Sequence, residues 1–275
     1  MRLATLFFIF LQVSSLIHAA TPQKRTPFYR VRTNAPPKPR QANEPVVVNA
    51  ASFEPGVSPG GLVTVFGQDL TDIIGTVVAN SNPWPFVLAG VSVDVNGNPA
   101  ALFSVAHVNG QDQISFQVPW ETPTGPGAAD VTVFDNGSPV AEIQADSFTE
   151  DPGIFAYNGN FAVAQRGRDG SLIGPDNPAI AGEVLVLYTT GLGPVDLDLT
   201  DGESAPSNPL AHTEDPFQVL VDGEQCQVFF SGLAPGFVGL YQVNLVLPGD
   251  LRSGALPMQI VSPFSNSATV TLPVR

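Results

Sequence analysis

The chain is poor in the residues that most chemistry needs. It has one Cys in 275 residues, which excludes a disulfide framework and any Cys-based zinc site. It has three His, one of them inside the N-terminal apolar segment, so little remains for metal or acid–base work. Charged residues make up 13% of the chain, about half the usual share of roughly 25%. No Lys follows Lys38. No Gly-Lys-Ser/Thr phosphate loop occurs, which removes the commonest sequence mark of a nucleotide site. The one long apolar run lies at the N-terminus.

Gly (26) and Pro (27) are plentiful. Both are costly inside helices, so a bundle or coiled coil is excluded, and both suit short strands joined by many turns. Hydrophobic residues at 43% are enough for a sizeable core.

The N-terminus reads as a secretory signal: Met1-Arg2, an apolar run from Leu3 to Ile17, then His18-Ala19-Ala20. The apolar run falls short of the roughly 20 residues a spanning helix needs. Residues 1–20 are therefore expected to be removed after Ala19 or Ala20. The mature chain should carry no transmembrane segment and act outside the cytoplasm, secreted or at the cell surface. Residues 21–44 form a basic, Pro-rich arm with Lys24, Arg25, Arg30, Arg32, Lys38 and Arg40, a composition expected to stay disordered. From residue 45 onward, 24 acids face only Arg166, Arg168, Arg252 and Arg275, a balance of 4 − 24 = −20. Such a body repels phosphates, so no nucleic-acid partner is expected.

Alternating apolar residues mark strands throughout the body, among them 62–67, 91–96, 113–119, 184–190, 217–222 and 241–248. Asn96-Gly97 and Asp222-Gly223 are two-residue hairpin signals. The two halves align. The run Pro59-Gly60-Gly61-Leu62 through Phe66 matches Ala181-Gly182-Glu183-Val184 through Tyr188, and Gln113–Pro119 matches Gln242–Pro248. The offset stays between 122 and 129, one small domain in length. The expected fold is all-β, two tandem immunoglobulin-like β-sandwiches related by internal duplication, at 45–150 and 151–275.

The chain resembles the uncharacterised C-terminal domain family of Solibacter-type acidobacterial secreted proteins. The motifs are Val48-Asn49-Ala50-Ala51-Ser52-Phe53, Ser58-Pro59-Gly60, Val118-Pro119-Trp120-Glu121, Pro152-Gly153-Ile154-Phe155, Thr190-Gly191-Leu192-Gly193-Pro194, Gly232-Leu233-Ala234-Pro235-Gly236 and Val238–Asn244. The resemblance spans about residues 46–274. It implies export and no assigned activity. More weakly, each half resembles the IPT/TIG-like immunoglobulin domains of plexins and transcription factors.

Candidate site residues are few. His107 and His212 lie near Asp112 and Asp215. Asp196, Asp198, Asp201 and Glu203 are a weak Ca²⁺ candidate: an extra residue precedes Asp201 and no Glu stands at the twelfth loop position. The competing reading is a solvated acidic loop. Trp84, between two prolines, is either a ligand contact that stacks on sugars or a plug for the end of the first sandwich. Trp120 and Tyr241 read as structural, and Cys226 as an inert buried residue. No catalytic residue and no cofactor is assigned. The chain reads as a non-catalytic surface or envelope module whose partner is an extracellular protein or glycan. The alternative is a polysaccharide-acting enzyme or carbohydrate-binding accessory.

Overall fold

The computed structural model of the chain describes residues 44–158 and 160–275. The expected signal segment and most of the basic arm lie outside them. Pro45–Arg275 forms one compact unit. It is all strand and turn, with no helix among the described residues, and its four sheets pair into two sandwiches.

The first sandwich is built from two antiparallel sheets. One runs in the order Val46–Asn49, Leu62–Gly67, Gln111–Gln117, Ala101–Val108, Gly75–Val78. The other runs Ser138–Ser147, Gly125–Asp135, Val91–Val95, Val87–Leu88. Strand Val91–Val95 shows why: its residues alternate fully buried and half-exposed, which is the period-2 pattern of a one-sided sheet. Val65, Val93, Ile114, Phe116 and Val133 meet between the sheets in one core.

The second sandwich repeats the plan. One sheet holds Gly153–Ile154, Val184–Thr190, Tyr241–Val246 and Gln227–Leu233 in that order, with Ala164–Arg166 also on Val184–Thr190. The other centres on Val270–Val274, Gly254–Val261 and Gln218–Val221. Leu185, Leu187, Val219, Tyr241, Leu245 and Ile260 form a separate core.

The runs that align in sequence have equivalent hydrogen-bond registers. Leu62 lies opposite Gln117 and Phe66 opposite Gln113; Val184 lies opposite Val246 and Tyr188 opposite Gln242. The aligned runs therefore occupy the same ladder in each half. Both expected hairpin turns form, with positive φ at Asn96, Gly97, Asp222 and Gly223. The corrections concern edges. Strands Gly75–Val78, Val87–Leu88 and Asn98–Pro99 were not anticipated, because they are short and mostly exposed.

One buried cation holds the second sandwich's long connection in place. Arg166 is buried on strand Ala164–Arg166. Its Nε donates to Glu183 Oε2 at 2.9 Å, and its two terminal nitrogens donate to Asn177 Oδ1 and the Pro178 carbonyl. Glu183 Oε1 in turn accepts from Ile180 N at 2.7 Å. Removing one member of such a group strands the others in low dielectric. Arg166→Met should therefore lower stability by about 3–5 kcal/mol in urea unfolding. Arg166→Lys should rescue little of it, because a single ammonium cannot match the three-way guanidinium fork.

Candidate functional site

Several side-chain hydrogen bonds join the two sandwiches where they meet. Strand Leu62–Gly67 starts at that boundary, and Leu62 N donates to Thr190 Oγ1 at 2.8 Å. The same hydroxyl donates to Gly239 O at 3.0 Å. One side chain at the end of Val184–Thr190 thus satisfies main-chain groups from both sandwiches. Asn49 works similarly at the end of Val46–Asn49. Its Oδ1 accepts from Ala51 N at 2.9 Å and Ser52 N at 3.1 Å, an Asx turn. Its Nδ2 donates to Asp151 O at 2.7 Å.

A loop of the second sandwich reaches the same end of the first. Gly202 N donates to Gln117 Oε1 at 2.7 Å, and Trp84 N donates to Gly202 O at 2.9 Å. Trp120 N donates to Asp201 Oδ1 at 3.0 Å. Asn82 and Ser204 bond twice, Asn82 Nδ2 to Ser204 Oγ at 2.7 Å and Ser204 N to Asn82 Oδ1 at 3.1 Å. A Cβ on Gly202 would collide with Ala101 and crowd the Trp84 backbone. The half-buried Trp120 indole packs against the second sandwich's core and covers Gly60, whose φ of 70° already favours glycine.

The candidate residues divide accordingly. Asp201 is a docking group: burial pushes its carboxyl above the ordinary value, the Trp120 N–H opposes that, and the Glu121 charge adds to it. Asp196 is held by His212, whose backbone N–H at 2.7 Å keeps the carboxyl below its ordinary range. The structure therefore ties Asp196 and Asp201 to different partners, and among the described residues no three His, Cys, Asp or Glu side chains gather as a metal-ligand group. Trp84 is half-buried, with its ring 5.1 Å from that of Phe103.

The two histidines form separate pairs. His107 Nδ1 lies 2.6 Å from Asp112 Oδ1, while Asp112 Oδ2 accepts from Leu70 N at 2.8 Å. His212 Nδ1 lies 3.1 Å from Asp196 Oδ2, with the ring edge on Phe230. The partner of His212 is Asp196, where the sequence had suggested Asp215. One pair belongs to each sandwich, and both carboxylates also hold backbone amides. Tyr241 donates to Gly193 O at 2.5 Å, and burial pushes its hydroxyl up. Burial likewise pushes the Cys226 thiol up to about 12, so it stays protonated and inert.

Sequence reasoning missed the junction itself and Glu150 beside it. Glu150 sits in the connection between the sandwiches, only 2% exposed. Among the described residues neither of its carboxylate oxygens has a partner in good hydrogen-bond geometry. Burial pushes its carboxyl above the ordinary value, the nearby Ser262 hydroxyl opposes the shift, and the Asp215 charge adds to it. The glycines at 60, 191, 202 and 239 were the one available signal of close approach.

No family model and no curated protein matches the chain. Among solved structures it is similar to SGBP-B of the Bacteroides ovatus mixed-linkage glucan utilization locus, in complex with a mixed-linkage heptasaccharide. That match has 13% identity over 81% of this chain and 44% of that one, with a TM-score of 0.32. It is also similar to the I9-I11 tandem of titin, at 12% identity over 80% and 62%, TM-score 0.21. A third is domains 5-6 of the S-layer protein SbsC, at 13% identity over 84% and 98%, TM-score 0.23. This chain spans less than half of the first and about three fifths of the second. Likenesses this loose carry no argument about activity or partner.

Two outcomes follow from this geometry. Thr190→Val strands the Leu62 amide and the Gly239 carbonyl, so it should cost about 1–3 kcal/mol in urea unfolding. Thr213→Val, at a hydroxyl that meets only the Ser231 hydroxyl and outside the junction, should cost less. For Glu150 the sign is that of a raised carboxyl. The folded state holds the proton more tightly than the unfolded chain. The contribution is complete below the unfolded value and disappears as pH rises through the folded one. Glu150→Gln should therefore be more stable than the parent at pH 7 and converge with it near pH 4, read by melting curves across that range.

Proposed function

We propose that the protein is an exported, non-catalytic binding or structural module of the cell surface or envelope. The observation that carries this reading is the use already made of its reactive-looking side chains. Asp112 holds Leu70 and His107, Asp196 holds His212, and Asp201 holds Trp120. Each serves the fold, and His107 and His212 belong to different sandwiches. The second ring nitrogen of neither histidine meets a Ser, Thr or Cys hydroxyl or thiol among the described residues, so neither pair extends into a nucleophile relay.

Two rigid sandwiches with loops at their ends suit recognition. The body's −20 balance favours cationic groups or divalent ions on a partner and disfavours nucleic acid. Among the described residues no helix is long and apolar enough to cross a membrane. The assignment to the Solibacter-type family rests on the ordered motifs alone, and an extracellular location on the N-terminal signal. The alternative, an enzyme or accessory acting on polysaccharide, would use an aromatic platform at Trp84. The packing of that ring against Phe103 weighs against it.

The test pairs binding with turnover. The full chain should bind isolated envelope material, and binding should weaken as salt screens its field. It should turn over nothing in a panel of glycosidase and esterase substrates. Turnover that is lost in His107→Ala or His212→Ala would overturn the reading.

A further inference from the structure

The duplication pairs the two sandwiches residue for residue, and the pairs have unequal surroundings. In the first sandwich Ala101 lies opposite Gln117, and the ladder breaks between Leu102 and Ser104. In the second, Gln227 lies opposite Val246, and the ladder breaks between Val228 and Phe230. The extra residue at the break is a phenylalanine both times, Phe103 and Phe229. Phe103 is 9% exposed beneath Trp84, which Gly202 of the other sandwich holds in place. Phe229 is 56% exposed. Leu62, the first residue of its strand, is 5% exposed at the junction, whereas its equivalent Val184 is 40% exposed. Gly60 and Gly182 share positive φ. A Cβ on Gly60 would enter the Trp120 ring, whereas one on Gly182 would meet nothing nearer than Gly249 Cα at 3.9 Å. The far end of the second sandwich thus matches the first sandwich's docking end in position but is uncovered, with Val184 and Phe229 exposed.

One feature of the opposite surface is repeated too. Gly239, which abuts Leu62 and the Gly60 carbonyl at the junction, is equivalent to Gly110. Both have positive φ, and Gly110 faces open space. Beside that turn Ile74 is 96% exposed, next to Gly75, which lies opposite His107. The first sandwich therefore offers, at its free end, a glycine at the position with which the second sandwich docks, on the tight Asn109-Gly110 turn where the second sandwich has a longer loop between Leu233 and Tyr241, and beside an exposed isoleucine.

We propose that a second copy of this chain occupies the uncovered end. The Gly110 and Ile74 end of one copy stacks on the Val184 and Phe229 end of the next, continuing the join that already exists inside each chain. Such a contact is heterologous, with different surfaces on its two sides, so it propagates into a row instead of closing as a dimer. The proposal goes beyond the reading of the chain as a binding module, since stacking by the ends leaves the sides free for any partner.

Sedimentation of the full chain across a concentration series tests it. The weight-average mass should climb past two-fold the monomer. It should climb further at higher salt, because the −20 bodies repel one another until screened. Phe229→Ser and Ile74→Ser each remove one of the two faces, and each variant alone should stay monomeric. Both sites are exposed, so melting curves should match the parent; Val184→Ser reads the same face as Phe229→Ser independently. Mixed one to one, the Phe229→Ser and Ile74→Ser chains retain one complementary pair of ends between them and should stop at two-fold the monomer mass. A parent that stays monomeric throughout would overturn the proposal and leave the envelope-binding reading standing. So would Ile74→Ser chains that associate like the parent, which would indicate a symmetric pairing, or association that weakens with salt.

Discussion

The hydrogen bond from Leu62 N to Thr190 Oγ1 expresses the constraint on which the rest of the body depends. A strand that begins at the end of a sandwich has a first amide the ladder does not use. When that end is buried, the amide must find a partner or cost about 1–3 kcal/mol. Here the partners come from the other sandwich: the Thr190 hydroxyl for Leu62, the Asp201 carboxylate for Trp120, the Gly202 carbonyl for Trp84. The first sandwich's end is complete only with the second in place. Close approach then dictates glycine at Gly202 and Gly239, where a Cβ would strike Ala101 or Leu62.

Scarcity of charge shapes what remains. The buried ionic group around Arg166 organises the second sandwich internally. Arg252 is paired with Asp222 and Arg168 with Asp169 at the surface. With so few cations, most carboxylates stand unneutralised on the exterior, and the ones that turn inward hold amides. Glu150 is the exception: it is buried and, among the described residues, has no partner in good hydrogen-bond geometry, which makes the connection between the sandwiches sensitive to its proton.

The central strands were legible because their alternation is set by burial on one side. Leu62–Gly67 and Val184–Thr190 were read to the residue. The hairpins at Asn96-Gly97 and Asp222-Gly223 were legible because only such pairs adopt positive φ cheaply. Edge strands escaped, since Gly75–Val78 is exposed or half-exposed throughout and carries no apolar rhythm. The polar site escaped for a different reason. Spacing groups Asp196, Asp198, Asp201 and Glu203 along the chain, but says nothing of direction. In space Asp196 turns back on His212 while Asp201 turns across to Trp120. Thr190 could be read as the end of a strand, yet not as the hydroxyl that serves two sandwiches, because that role depends on which residues another domain brings near.

The repeat also bounds how firmly its free ends can hold anything. The internal junction draws much of its hydrogen bonding from the segment after Val184–Thr190, which runs out through Asp201 to Ser204 before returning at His212 beside Gly232. The matching segment of the first sandwich is far shorter, passing from Gly67 to Gly75 with Leu70 tucked into the core. It has no counterpart to Gly202 or Ser204. A contact made with that end would keep the apolar and turn components of the junction and lack its hydrogen-bonded loop. It would hold less firmly than the internal junction. Association through it is therefore reversible and concentration-dependent. The permanent version of the same join exists only within the chain, where covalent connection removes the entropic cost of bringing the two sandwiches together.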